Sequence, residues 1–348
     1  MTPFIARTPL DLLAVVPYAI GFHPDDSVVM LTFGDSATGR DSFHARVDLP
    51  VVADEIDRVT DLLADVLTRR GCAEVAVLLY TEDAGAAFAC AAVLVPRLLS
   101  DGFDVVDVLR IAGDRYHPAD DPEDPGIAYD LSAHPFTTAL VVEGRVAHDS
   151  RAALADTLIG GDEDDREAIA AAADRFADRL LTGGRSAALA DELPGILREQ
   201  ALWLQELLRA DPAVPGSPEA AGPTAAVAGR LLVVVALDAL REVALAHMTR
   251  DNAEDQLVLW RGLTRRAPRD LRAGAASLCA FAAWLAGEGA LAWCAVERCL
   301  EAEPDDDLAH HVAVLLETAT PPSAWAPVRE ESLRALRVPG LSEGARSL

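Results

Sequence analysis

Short β-branched runs alternate with amphipathic stretches up to about residue 158, and from Asp162 onward no convincing strand pattern appears. This break constrains the fold more than any motif, because strands must pair with strands and the strand-forming residues sit in one half of the chain. Ser27–Phe33, Val75–Tyr80 and Val105–Ile111 are largely apolar and rich in β-branched residues, as in strands covered on both faces. Ser42–Leu49 alternates instead, with Phe43, Ala45, Val47 and Leu49 on one face and His44, Arg46 and Asp48 on the other. Ala53–Arg70 and Gly85–Leu99 follow helical period and are closed by Gly71 and by Asp101-Gly102.

Thr8-Pro9-Leu10-Asp11 predicts a helix start, and that helix is expected to stop at Val16, before Pro17. Gly34–Arg40 reads as a turn, Ala119–Gly126 as an exposed acidic loop, Thr137–Val142 as a further strand, and Ser150 as the cap of a helix through Leu158. The order strand, helix, strand, helix, strand predicts an α/β N-terminal domain, residues 1–160, on a mostly parallel three-layer sheet. An all-α domain, residues 161–348, is expected to follow, with helices at Glu167–Leu181, Ser186–Ala210, Ala225–Met248, Ala253–Arg265, Leu271–Ala286, Gly289–Glu301 and Asp306–Glu317. A loop rich in proline, glycine and alanine interrupts it at about 211–223. Ala280, Gly287, Ala292 and Pro304 have the spacing of a tetratricopeptide unit, with Trp284 and Trp293 to fill the groove, so this domain is read as tetratricopeptide-like.

Composition removes several function classes. The 348 residues contain 30 Lys+Arg, all of them arginine. Without lysine there is no Schiff-base chemistry and no Walker-type phosphate loop. A net charge of -26 opposes binding to nucleic acid or to an anionic membrane surface. The one arginine-rich stretch, Arg261, Arg265, Arg266, Arg269 and Arg272, reads either as a solvated helix end or as a contact for an acidic partner. The 5 cysteines lack paired spacing, as expected of reduced thiols in a cytoplasmic protein. No signal peptide is read at the N-terminus, and Leu231–Leu237 is too short to span a bilayer.

Chemically capable side chains concentrate in Gly21–Ser27, which reads GFHPDDS and leads into the first strand. His23, Asp25, Asp26 and Ser27 can bind a ligand, act as acid and base, or, with Asp48, supply carboxylates to a metal. The competing reading is structural, a Pro-Asp-Asp turn whose carboxylates satisfy backbone N–H groups. In a parallel sheet this loop would lie at the strand N-terminal end, opposite the usual ligand end. Arg46 and Asp48 share a polar face and either line a pocket or pair with each other. Glu82, Asp83 and Asp35 are weaker candidates at the conventional end. Arg115, Tyr116, His117, Tyr129 and Asp130 bracket the acidic loop, which is either a lid or a surface excursion, and Arg151 follows. His310 and His311 point to different helix faces and do not form a shared metal site. No nucleophile elbow, zinc-binding helix, dinucleotide fingerprint or paired C-x-x-C is present, and the cofactor stays open.

The set GFHPDDS (21–27), R-x-D-L-P (46–50), R-Y (115–116), G-x-x-Y-D (126–130) and S-R-x-x-L (150–154), with FAAWLAGEGALAWCAV (281–296) and P-P-S-x-W (321–325), resembles the actinobacterial proteins grouped as domain of unknown function 4192. The resemblance implies a shared fold and a cytoplasmic, high-GC actinobacterial setting, and it implies no activity. The expected function is that of a non-catalytic binding, adaptor or regulatory protein whose helical half docks a protein partner. The alternative is a metal-dependent hydrolase or transferase using the Asp/His cluster.

Overall fold

The computed structural model describes residues 6–33, 43–183, 189–209 and 222–326, with backbone alone at 181–183 and 189–194. The expected turn at 34–40, Asp35, Ser186 and most of the 211–223 loop lie outside the described residues. The chain divides into two compact units, Met1–Leu154 and Ala155–Leu348.

Helix α1, Pro9–Ile20, begins as the sequence predicts. The Thr8 hydroxyl accepts from the Asp11 amide at 3.3 Å, and the Asp11 carboxylate accepts from the Thr8 amide at 2.9 Å. The helix does not stop at Val16. It carries Pro17 inside it and adds a turn, because Val16, Pro17 and Ile20 remain on a buried face whose burial outweighs the one missing backbone bond. Gly21, at φ 88°, then ends it, its N–H reaching the Pro17 carbonyl at 2.9 Å.

Strand β1 (Ser27–Thr32) is buried at every residue. It is followed by β2 (His44–Asp48), α2 (Ala53–Arg70), β3 (Glu74–Tyr80), α3 (Ala84–Ser100), β4 (Asp104–Ala112), β5 (Arg115–Pro118) and β6 (Ile127–Ala128). The six-stranded order is β2-β1-β3-β4-β5-β6. The expectation of a mostly parallel sheet is corrected here. Among the described strands only β3 and β4 pair in parallel, while β1 runs antiparallel to both β2 and β3, and β4–β5 and β5–β6 are antiparallel. A continuous apolar run reports that a strand is covered, not which way its neighbours run. The helix-bearing connection from β3 through α3 to β4 returns the chain in parallel, whereas β1 and β2 pair directly. Helices α2 and α3 cover one face, where Val28, Met30, Val77 and Leu79 pack with Leu67 and Leu94.

Two further expectations fail in this unit. No strand is expected at 115–118 or 127–128, yet these residues form β5 and β6 and extend the sheet, with the expected acidic loop 119–126 between them. Residues 137–142, read as a strand, belong to helix α4, Pro135–Val142. Valine and threonine favour strands, but Pro135 at the first position and His134 as N-cap, with its Nδ1 accepting from the Phe136 amide at 3.2 Å, start a helix instead. Ser150 caps α5, Arg151–Asp156, accepting from the Ala153 amide at 3.1 Å.

The second unit is helical throughout its described residues: α6 (Glu163–Gly183), α7 (Leu189–Arg209), α8 (Ala225–Val235), α9 (Asp238–Ala246), α10 (Ala253–Arg266), α11 (Ala273–Leu285), α12 (Gly289–Leu300) and α13 (Asp307–Glu317). The single helix expected over 225–248 is split, with Leu237 extended between α8 and α9. The end of α8 lies so close to α11 that a Cβ on Gly274 would stand 2.3 Å from the Val235 carbonyl oxygen. Ala280 and Ala292 are fully buried in the α11–α12 pair, and Gly287 turns between them at φ 83°. Below them Arg241 donates to Asp306, to Asp238 and to the Ser277 hydroxyl, and Asp306 also caps α13. None of the five cysteines forms a disulfide. Burial pushes Cys279 and Cys299 each up to about 12, so both stay thiols. No described helix is long and apolar enough to cross a membrane.

Candidate functional site

The site is assembled by strand direction. Because β1 runs against β3, the loop that enters β1 lies beside the C-terminal ends of β3 and β4, the end where open α/β sheets receive ligands. The expectation that GFHPDDS sits at the opposite end is therefore overturned. Register places Asp48 beside Ser27, Ser27 beside Tyr80, Tyr80 beside Ile111 and Ile111 beside Tyr116, one lateral row across five strands.

Around that row the polar groups bond to one another. The Ser27 hydroxyl donates to the Asp25 carbonyl at 2.5 Å and accepts from Arg46 Nε at 2.9 Å. The other arm of Arg46 meets Asp48 at 2.6 Å, and its guanidinium lies 5.7 Å from the Phe22 ring centroid. Asp26 adopts φ 38°, its carbonyl accepts from the Leu49 amide at 2.8 Å, and its Oδ1 accepts from the Thr81 hydroxyl at 2.9 Å. Thr81 in turn accepts from the Asp83 amide at 3.2 Å, and its carbonyl receives Arg110 at 3.4 Å. Asp83 caps α3 through the Ala86 amide at 2.9 Å. His23 is exposed and held by its backbone to the His148 carbonyl at 2.8 Å.

Of the residues singled out from sequence, Asp25, Asp26, Ser27, Arg46 and Asp48 come together in this way. Arg115, Tyr116 and Asp130 serve the neighbouring ribbon. Arg115 donates to the Pro125 carbonyl at 2.9 Å and the Gly126 carbonyl at 2.6 Å, and the His117 ring bonds the Asp124 carbonyl at 2.9 Å. Gly126 is at φ 70°, and a Cβ there would stand 2.4 Å from the His117 ring, so only glycine fits. The acidic loop is pinned to β5 in this structure. Tyr116 and Tyr129 lie with ring centroids 6.2 Å apart, and Asp130 accepts from the Ser132 amide at 2.8 Å, which together with the Ser132 side chain holds its carboxyl below the ordinary value. Arg151 opens α5.

Sequence reading missed Tyr80, Thr81 and Arg110, all buried at this end of the sheet. Burial, reinforced by Tyr129, raises the Tyr80 phenol far above its ordinary value. The only advance signal was their position at the ends of apolar strands. Among the described residues no group of three or more His, Cys, Asp or Glu side chains is placed to hold a metal ion. Asp26 and Asp48, two of the proposed ligands, are engaged by Thr81 and Arg46. A shallow groove beside β2 is lined by Val47, Leu49, Val59 and Leu62, with Asp48 and Glu55 among its polar residues.

Residues 9–323 match the family model described as Domain of unknown function (DUF4192), and the protein is a member of that family. No curated protein and no solved structure gives a significant match.

Proposed function

We propose that the protein is a non-catalytic binding or adaptor protein whose helical unit docks a protein partner, with the N-terminal unit as a ligand-holding or regulatory module. The carrying observation is the state of the strand-end polar groups. Ser27, Asp26, Arg46 and Thr81 spend their hydrogen-bonding capacity on one another and on backbone, which fixes the loop against β3. In the helical unit the α11–α12 pair carries buried small residues at the crossing and a glycine turn, which supports a tetratricopeptide-like docking element.

The test is cross-linking of the full chain in native lysate followed by mass spectrometry. Because the chain has no lysine, the reagent must target carboxylates, of which there are 56. Stoichiometric cross-links to one protein that fall on residues 163–317 support the reading, and cross-links confined to residues 6–154 end it. The position of the loop at the β3/β4 C-terminal end favours one alternative, a metal-dependent hydrolase or transferase using Asp25, Asp26, Asp48 and His23. Calorimetry with magnesium, manganese and zinc addresses it; binding heat that Asp26→Asn abolishes would displace the adaptor reading.

A further inference from the structure

Strand β2 is an edge of the sheet. The Phe43 carbonyl accepts from the Thr32 amide, and the Leu49 amide donates to the Asp26 carbonyl, so these residues turn their bonding groups toward β1. Alternation along an antiparallel ladder gives Ala45 and Val47 the same direction. The backbone N–H and C=O of His44, Arg46 and Asp48 therefore face outward, where no other described strand pairs with them. The far edge of the sheet is protected by its shortness, since β6 has 2 residues. Strand β2 is blunted only past Asp48, by Pro50.

Beside this edge lies uncovered apolar surface. Val47, Leu49, Val59 and Leu62 line the groove between β2 and α2; Leu62 is 41% exposed, and Val51 and Val52 next to it in the chain's turn are 72% and 52% exposed. The charges of the groove have both signs, Asp48 and Glu55 against Arg58. A strongly basic or strongly acidic partner would leave one sign unanswered. A surface that carries both can answer itself across a two-fold axis.

We propose that the protein forms a two-fold dimer in which β2 of one copy pairs antiparallel with β2 of a second, joining the two sheets edge to edge. Charge selects the register. With the axis at Arg46 or at Asp48, like charges stand opposite each other. With the axis at Val47, Arg46 of each copy faces Asp48 of the other, and the outward N–H and C=O groups of both residues find partners. The Asp48 side chain is 86% exposed beside Arg46, so it can meet a second guanidinium without leaving a buried contact. In the same register Val47 faces Val47 and Ala45 faces Leu49 on the groove side, so apolar side chains meet apolar ones. This inference goes beyond the adaptor reading and does not rest on it.

The experiment is sedimentation equilibrium of the full-length protein at about 0.15 M salt, where repulsion between two acidic chains is screened within about 8 Å. A concentration-dependent monomer–dimer equilibrium is expected. Asp48→Arg sets arginine opposite arginine at both symmetric positions and should weaken the dimer by at least about tenfold. Arg46→Asp should do the same, and mixing the two variants should restore a heterodimer, because each supplies the sign the other lacks. Val47→Cys tests the register with both charges in place. Its two thiols would lie in a non-hydrogen-bonded pair, with Cα atoms about 4.5 Å apart and within disulfide reach, so mild oxidation should give a covalent dimer. Ala45→Cys, which faces Leu49, and the unaltered chain should give none. Val258→Ser, at an exposed position of the helical unit, should leave association unchanged. If either charge variant does not fold, Val47→Cys against Ala45→Cys decides alone. A monomer at every concentration up to about 100 µM overturns the proposal and leaves the edge to a different protein or to solvent. A dimer that Asp48→Arg leaves intact, or that Val47→Cys does not cross-link, overturns it as well.

Discussion

The strand-end loop of the N-terminal unit and the arginine cluster of the helical unit both concentrate charge, yet they dispose of it differently. Around Ser27 the donors meet acceptors in the loop and on the adjoining strands, and Arg46 divides itself between Ser27 and Asp48. Around Arg272 like charges crowd together, and two guanidinium nitrogens remain buried without acceptors. Density of polar residues does not by itself mark a site. Whether their hydrogen bonds close internally decides how much such a cluster adds to stability.

The largest expected effect tests what an internally closed set is worth. Arg241 is buried with Asp306, and removing one member of such a pair typically costs about 3–5 kcal/mol. Arg241→Ala should therefore lower the denaturant midpoint of the helical unit strongly, as read by tryptophan fluorescence. A change below about 1 kcal/mol would show that closure adds little.

The strand-end loop is next. Asp26→Ala removes the acceptor for Thr81 and puts alanine at φ 38°, which together should cost about 1–2 kcal/mol. Asp26→Gly should recover about 1 kcal/mol of that by relieving the backbone. Hydrogen exchange at the Val28–Leu31 amides measures both, and equal losses in the two variants would remove the backbone part of the explanation.

Arg272→Met sharpens the contrast from the other side. It should change stability by no more than about 0.5 kcal/mol, or raise it, since burial and neighbouring arginines offset the one bond the group makes, to the Ala267 carbonyl at 3.1 Å. A loss as large as that of Arg241→Ala would make the two arginine sites the same kind of structure.

The smallest effect concerns His44. Burial, aided by Arg145 and Arg70, lowers its affinity for a proton in the fold below the ordinary value of 6.5. The unfolded chain then binds more protons than the native one, so stability is complete above that value and falls as pH drops through it. His44→Gln should flatten this acid-side slope in pH-dependent denaturation, and an unchanged slope would assign it to other groups.

Much of this architecture was legible in the chain. Thr8, Gly71 and Ser150 act as caps where their residue types predict, because capping depends on a few neighbouring atoms. Pro17 and Thr137–Val142 misled for the same reason, since local preference there yields to a buried helix face and to the start signal at His134-Pro135. The GFHPDDS residues were identifiable as a polar cluster, but Thr81 and Arg110 were not, because their partners lie 55 and 29 residues away.

The sequence by itself determined that the strands are confined to the first half and that helices fill the second, and the absence of lysine chemistry, since periodicity and residue type are properties of the chain alone. Only the tertiary structure decided the direction in which the strands pair, and hence that the histidine-aspartate loop stands at the C-terminal end of β3 and β4. It also decided which arginines find carboxylates and which do not. Pairing direction and charge neighbours are set by contacts between residues far apart in sequence, which local preference does not encode.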